Sequence, residues 1–376
     1  MNGGNEKRYA PSSELDFYKR VSDLLAEARQ FAKRQLDCTI VAAYYEIGRM
    51  IVEREQQGQK RAQYGVKLIR GLSEYLTGQY GRGFSVVNLK SIRKFYQVYA
   101  PSIRQTVSAK FNNSKSLINV SAMNIQKGQS LSAQFNLGWS HYQILMRIED
   151  DAARRFYEIE TVGQQWSVRQ LQRQVGSSLY ERLALSRNKD KVRALAKEGQ
   201  TLQNPRDIFK SPYILEFTGL EERPEYNETE LEQALINNLQ MFLLELGKGF
   251  LFEARQKRFS FDEKSFYVDL VFYNRLLQCY VLIDLKVAEL KHQDLGQMLM
   301  YVNYFDRHVR QESEKPTIGI LLCSQKNDSI VELTLPENAN IYASAYSLYL
   351  PDKALLRRKL AEWTAEFEEA HGGDNK

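Results

Sequence analysis

The stretch "FYVDLVFYNRLLQCYVLIDLK", from Phe266 to Lys286, limits most narrowly what this chain can form. Two runs of Val, Ile, Leu, Phe and Tyr flank a short loop, Arg275 to Gln278, which predicts an antiparallel hairpin. Asp269 and Asp284 are equally far from the middle of that loop, so they face each other across the strands. Side chains alternate between faces along a strand, so Lys286, two residues beyond Asp284, shares their face. Like charges directly opposite destabilise a hairpin, and these sit among residues suited to a core.

A divalent cation offsets such repulsion. Mg²⁺ takes one or two carboxylates and fills its shell with waters and phosphate oxygens. An ion held there can polarise a phosphodiester and acidify an attacking water. The lysine adds positive charge for the transition state, or positions or deprotonates the water. A plain surface hairpin with an Asp–Lys ion pair would show the same three residues, so their surroundings decide.

Those surroundings read as layers of helix and strand. "ETELEQALINNLQMFLLELG" predicts one helix stopped at Gly247 or Gly249, and "FLFEARQKRFSF" a strand. After the hairpin come a helix, "QDLGQMLMYVNYFDRHV", and strands at "PTIGILLCSQ" and "ANIYASAYSLYL". A C-terminal helix follows at "DKALLRRKLAEWTAEFEEAH". This order implies an α/β layer with a mixed sheet.

The first half is helical by periodicity, in "DFYKRVSDLLAEARQFAKRQL", "IVAAYYEIGRMIVEREQQ" and "YGVKLIRGLSEYLTGQYG". In "GRGFSVVNLKSIRKFYQVY", Ser85 is placed to cap a helix carrying Lys90, Arg93 and Lys94. A capped basic helix after a glycine turn resembles a helix-turn-helix reader, and equally an amphipathic helix packed on its neighbours. Ser167 is placed to cap another, carrying Arg169 and Arg173. Residues 101–135, rich in Ser, Asn and Gln, read as a long loop or insertion. The polar span "SRNKDKVRALAKEGQTLQNPRD" marks a boundary between domains.

Charge separates along the chain. Residues 1–200 hold 32 Lys and Arg against 18 Asp and Glu, or +14, and residues 201–376 hold 20 against 28, or −8. The first half thus suits a polyanionic partner, or simply presents a solvated basic face. No apolar run is long enough to span a membrane, and the N-terminus lacks the apolar core of a signal peptide. Cys38, Cys279 and Cys323 are widely separated, which argues against a zinc site and for a reducing cytoplasm.

Asp269, followed after an apolar strand by Asp284-Leu285-Lys286, resembles the PD-(D/E)XK nuclease superfamily. Gln297 and Tyr301 resemble the Q-x-x-x-Y element of one of its branches. "YYEIGRMIVE", "GFSVVNLKSIRKFYQVY", "LGWSHYQILMRI", "WSVRQLQRQVGSSLYERL", "LEQALINNLQMFLLELGKGF" and the hairpin, in this order, are similar to the YhcG family of bacterial nucleases over residues 14–350. The resemblance implies an α+β protein of two domains: a mostly helical, winged-helix-like DNA-binding domain over 14–185, then a restriction-endonuclease-like α/β domain with a mixed sheet over 206–350. Residues 351–376 would form a C-terminal helix and tail.

The resemblance implies Asp269 and Asp284 as metal ligands, Lys286 as the catalytic lysine, and Glu232 as the helix glutamate of the site, with Glu230 the other candidate. Gln297 and Tyr301 would orient the lysine or a phosphate, and Arg255, beside Gln256, would contact nucleic acid. The sequence departs from the family in Asp284, where members commonly carry Glu, and in Val268, where the superfamily's proline would stand. The expected activity is Mg²⁺-dependent cleavage of DNA, nicking or double-stranded, with Mn²⁺ able to substitute. Lys90, Arg93, Lys94, Arg169, Arg173 and Arg255 are the expected nucleic-acid contacts. DNA is the expected partner, including branched forms, with RNA and a homodimer left open and no membrane. The competing reading is a non-catalytic DNA-binding scaffold.

Overall fold

A computed structural model describes residues 12–57, 62–111, 135–185, 189–210, 212–220, 226–336 and 338–358. The chain divides into two compact units, residues 1–149 and 150–376.

The first unit contains α1 (Ser12–Gln57), α2 (Ala62–Tyr80), α3 (Val86–Phe111) and α4 (Trp139–Leu145). Ile51, Ile69, Leu89 and Ile92 form its apolar centre. Phe95 packs edge-on or tilted against Tyr45, Trp139 and Tyr142. Helix α1 crosses α3 at Gly48, where a Cβ would lie 2.5 Å from the Ile92 carbonyl oxygen. The Ser85 cap forms as expected: its hydroxyl accepts the Asn88 N–H at 3.2 Å. The Asn88 side chain in turn accepts the Trp139 indole N–H at 3.0 Å, so the cap is tied to the core.

Two expectations change in this unit. The two helical stretches before residue 57 are one continuous helix. The first eleven residues of the expected loop at 101–135 continue α3 through Pro101, whose missing N–H costs the helix one bond without ending it; residues 112–134 lie outside the described residues. Among the described residues the unit is wholly helical, and none forms the strand pair of a wing.

The second unit begins with α5 (Asp151–Gln164), α6 (Val168–Gly176), α7 (Leu179–Leu185) and α8 (Lys189–Glu198). The sequence grouped 150–185 with the helices before them and read the polar span that follows as a boundary. Buried charge ties these helices to the residues that follow them. Arg182 and Glu245, both fully buried, pair at 2.6 Å. Arg173 reaches Glu245 at 3.1 Å and Glu216 at 2.9 Å. Burial alone would raise the Glu245 carboxyl, but the charges of Arg182, Lys210 and Arg173 outweigh it and hold it at about 2. Lys248 pairs with buried Glu160 of α5 at 2.8 Å.

A six-stranded mixed sheet follows, ordered β1-β6-β5-β4-β3-β2: β1 (Tyr213–Ile214), β2 (Phe250–Phe261), β3 (Lys264–Asn274), β4 (Cys279–Glu289), β5 (Ile318–Gln325) and β6 (Ile341–Ser347). Strands β2, β3 and β4 are antiparallel, while β4, β5, β6 and β1 run parallel. Helices α9 (Glu228–Asn237) and α10 (Leu239–Leu246) cover one face, seating Leu231, Leu235 and Phe242 over Leu270, Phe272 and Ile283. The sequence read these as one helix; Asn238, with φ −114° and ψ 30°, breaks it. Gly247, at φ 106°, ends α10 as expected.

Helix α11 (His292–His308) covers the other face, with Leu295, Met298, Tyr301 and Phe305 over Val271, Leu282 and Leu321. Its close approach needs Gly319, where a Cβ would meet Met298 at 2.7 Å. A short helix, α12 (Asp328–Thr334), joins β5 to β6. The C-terminal helix starts at Lys353 on an Asp352 cap, and the described residues end at 358. No helix among the described residues is long and apolar enough to cross a membrane.

Candidate active site

The hairpin register agrees with the reading from sequence: Leu270 stands opposite Ile283 and Asn274 opposite Cys279. One further step would pair Asp269 with Asp284, and there the ladder stops. The Asp269 side chain takes over, its Oδ2 accepting the Leu285 N–H at 2.8 Å. Asp284 and Lys286 share a face of β4 with Leu282 by alternation, and Asp269 comes beside Asp284 where the ladder ends.

Asp284 is 2% exposed. Its carboxyl is pushed up to about 7, first by burial, then by the neighbouring charge of Asp269, with Lys286 working the other way. Lys286 Nζ lies 2.8 Å from Asp284 Oδ2 and 3.6 Å from Glu228 Oε2. Burial works to lower the Lys286 ammonium, but Asp284, Glu228 and Asp269 outweigh it and hold it above its ordinary value.

Gln256 joins the acids from β2. Its amide nitrogen donates to Glu232 Oε2 and, at 3.0 Å, to Asp269 Oδ1. The pairs Arg255–Leu270 and Lys257–Val268 bracket it opposite Asp269. Its φ of 45° is left-handed, a conformation that L residues hold only when their surroundings enforce it. On α9 the geometry separates the two glutamates. Glu230 closes a capping box with Asn227, whereas Glu232 is buried against the sheet. Arg255 is held there, its Nε 3.0 Å from Glu232 Oε1 and its Nη1 3.0 Å from Gln233. On α11, Gln297 donates to the hydroxyl of buried Tyr301. Burial raises that hydroxyl first, and the charges of Asp284 and Asp269 add to it.

Two buried oxygens, Asp284 Oδ2 and Glu232 Oε1, accept no hydrogen bond and are held only by ion pairs to Lys286 and Arg255. Buried carboxylate oxygens beside a second acid suit a hard cation. Among the described residues no three His, Cys, Asp or Glu side chains converge as a metal site. Asp269 and Asp284 are the two acids that could hold a divalent ion, with water and substrate oxygen completing its shell.

The basic candidates divide. Lys90, Lys94 and Arg169 are exposed. Arg93 is paired with Glu55 at 2.7 Å. Arg173 is a correction: its side chain is 7% exposed and bonded to Glu216, Glu245 and the Ile214 carbonyl, so it ties the fold together instead of facing a ligand. The Ser167 cap beneath it is real, with Gln170 completing a capping box.

Reading the sequence missed Glu228, which lies one helical turn before Glu232 and could have been found by that spacing. Arg258 and Tyr267 stand near the site, opposite each other where the β2–β3 ribbon runs on past the end of the β3–β4 ladder. Both are exposed, and Arg258 bonds Ser265 at 3.0 Å.

Comparison with known proteins matches both halves of the chain to described families. Residues 206–361 match the YhcG PDDEXK nuclease domain and residues 20–182 the DUF1016 N-terminal domain. A protein of Escherichia coli (strain K12) named "Putative nuclease YhcG" is 39% identical over 374 residues, 94% of this chain and 96% of that one. A repair endonuclease from Pyrococcus abyssi aligns over 35% of this chain and 50% of its own, at 20% identity and a TM-score of 0.24. A structure of an EndoMS–dsDNA2 complex aligns over 36% and 51%, at 17% identity and 0.25. Both structural alignments are partial, and neither bears on substrate. PDDEXK nucleases generally work with divalent metal ions, as metal-dependent phosphodiester hydrolases. This chain belongs to the YhcG family, with a helical N-terminal region followed by a restriction-endonuclease-like nuclease domain.

Proposed function

We propose that this protein hydrolyses phosphodiester bonds of DNA with Mg²⁺ held between Asp269 and Asp284, and that its basic first half recruits the nucleic acid. The observation that carries the reading is the Asp284 carboxyl, 2% exposed in an apolar sheet, beside Asp269 and within 2.8 Å of Lys286. An apolar sheet has no structural need of that cluster, and a cation would let both acids ionise at neutral pH. Glu232 is the third acid of the site, brought to it by Gln256.

The ion, when bound, supplies Lewis acidity to the phosphate and lowers the pKa of an attacking water. Lys286 keeps its proton, so it acts as a fixed positive charge toward the phosphate and orients the water by donating to it. Asp269 is fixed by the Leu285 N–H through one oxygen and by Gln256 through the other, and the second oxygen is the one that would turn to the ion. Tyr301, buttressed by Gln297, borders the two aspartates and helps to position Lys286. Lys90, Lys94 and Arg169 supply exposed positive charge, and Arg255, partly exposed beside Glu232, adds to it. Mn²⁺ accepts the same oxygen donors. The three cysteines are unpaired and buried, which supports a reducing, cytoplasmic setting.

The test is incubation of purified protein with duplex DNA and with RNA, in Mg²⁺, in Mn²⁺ and in EDTA. Metal-dependent cutting of DNA supports the reading. Cutting of RNA alone would move the substrate, and cutting of neither would favour the scaffold.

A further inference from the structure

Every residue from 14 to 36 of α1 is exposed, and the helix joins the core only from Cys38 onward. At 1.5 Å per residue, this arm is about 35 Å long. Its sequence is not that of a solvated helix. Phe17 and Tyr18, Val21, Leu24 and Leu25, Ala28, and Phe31 and Ala32 recur at a mean spacing of 3.5 residues, the period of a helix seam buried against another helix. Leu24 and Phe31 are each 65% exposed and Phe17 61%. An apolar stripe of this extent on one helix marks an interaction surface, and a lone helix draws little stability from propensity.

We propose that the arm pairs antiparallel with the arm of a second copy of this chain. The rows of the stripe are symmetric about Leu24 and Leu25. An antiparallel partner centred there sets Phe17 beside the small Ala32, and Val21 beside Ala28. Charge selects the same orientation. Residues 12–27 carry Glu14, Asp16, Asp23 and Glu27 against Lys19 and Arg20, while residues 28–36 carry Arg29, Lys33 and Arg34 with no acid. In the antiparallel register Asp16 meets Lys33 of the other copy at both ends, with Glu14 and Arg34 one residue out of step beside that pair. The register also brings Arg20 toward Arg29, with Glu27 one row away to offset them. A parallel pair would set acid on acid and base on base. The contact is self-complementary, as a two-fold dimer requires. It does not depend on the nuclease reading.

The test uses the full chain in light scattering across a wide concentration range. Wild type should show the mass of two chains, and Leu24→Asp with Phe31→Asp the mass of one. These side chains pack on nothing else in their own chain, so the variant should keep the thermal midpoint of the core and lose at most the helical signal of the unpaired arm. Glu14→Lys with Asp16→Lys should weaken the dimer by roughly tenfold, and adding Lys33→Glu with Arg34→Glu to the same chain should restore it. Mixing Phe17→Cys chains with Ala32→Cys chains should give a disulfide between the two kinds. A wild type that is monomeric throughout, a double aspartate variant that stays dimeric, or Phe17→Cys chains that link chiefly to one another would each overturn the proposal.

Discussion

The carboxylate of Asp269 accepts the backbone N–H of Leu285 at 2.8 Å, taking the place of a strand carbonyl just where the β3–β4 ladder ends. One residue is thus both structural and a candidate metal ligand, and substitution can separate the roles. Asp269→Asn keeps an acceptor for the N–H and loses the charge. Asp269→Ala leaves the N–H unpaired, at a cost of about 1–3 kcal/mol. Both should abolish cleavage, and only the alanine should lower the urea midpoint clearly. Equal midpoints would mean that the Leu285 bond contributes nothing.

Asp284 links the site to pH. Its folded pKa, about 7, lies above the unfolded value near 3.9, so the folded state binds this proton more tightly. Its contribution favours the metal-free fold below about pH 4 and is withdrawn as pH rises towards 7, by a total on the order of 4 kcal/mol. Metal binding must displace the same proton, so affinity should rise up to about tenfold per pH unit below 7 and level off above it. Calorimetric titration with Mn²⁺ on either side of pH 7 checks this, and a flat profile would contradict it.

Glu245 behaves in the opposite sense. Its carboxyl is held at about 2 by Arg182, Lys210 and Arg173, so its stabilisation is present above the unfolded value and is lost as pH falls from about 4 towards 2. Removing one partner leaves a buried charge uncompensated, so Arg182→Ala should cost about 3–5 kcal/mol. A fragment starting at 206 lacks both arginines and should unfold far more readily than one starting at 150. Equal melting temperatures for the two fragments would contradict the assignment of α5–α7 to the second unit.

Arg258 and Tyr267 flank the site on the exposed ribbon. If the strand being cut lies along it, Arg258→Ala should raise KM several-fold with little change in kcat, because the residue contacts substrate away from the reacting atoms. Steady-state cleavage of a labelled duplex separates the two constants.

The hairpin was legible in the sequence because a short loop leaves little choice of register, so the positions of Asp269, Asp284 and Lys286 followed by counting. The Ser85 and Ser167 caps were legible for the same local reason. Arg173 was not. On its own helix it looks solvent-facing, and the acids that bury it lie 43 and 72 residues away. Gln256 was seen only as a neighbour of Arg255, since nothing local announces a left-handed residue inside a strand. The break at Asn238 was hidden by an apolar pattern that continues across it.

The central claim is that Asp284 and Lys286 form a metal-dependent cleavage site. It is tested most directly by the rate of cutting of supercoiled plasmid in Mg²⁺ by wild type, Asp284→Asn and Lys286→Ala, with folding of each confirmed by circular dichroism. The account predicts cutting by wild type that EDTA stops, and a loss of at least about a hundredfold in each variant. Wild-type rates in either folded variant, or no cutting of DNA by wild type in any divalent metal, would contradict it.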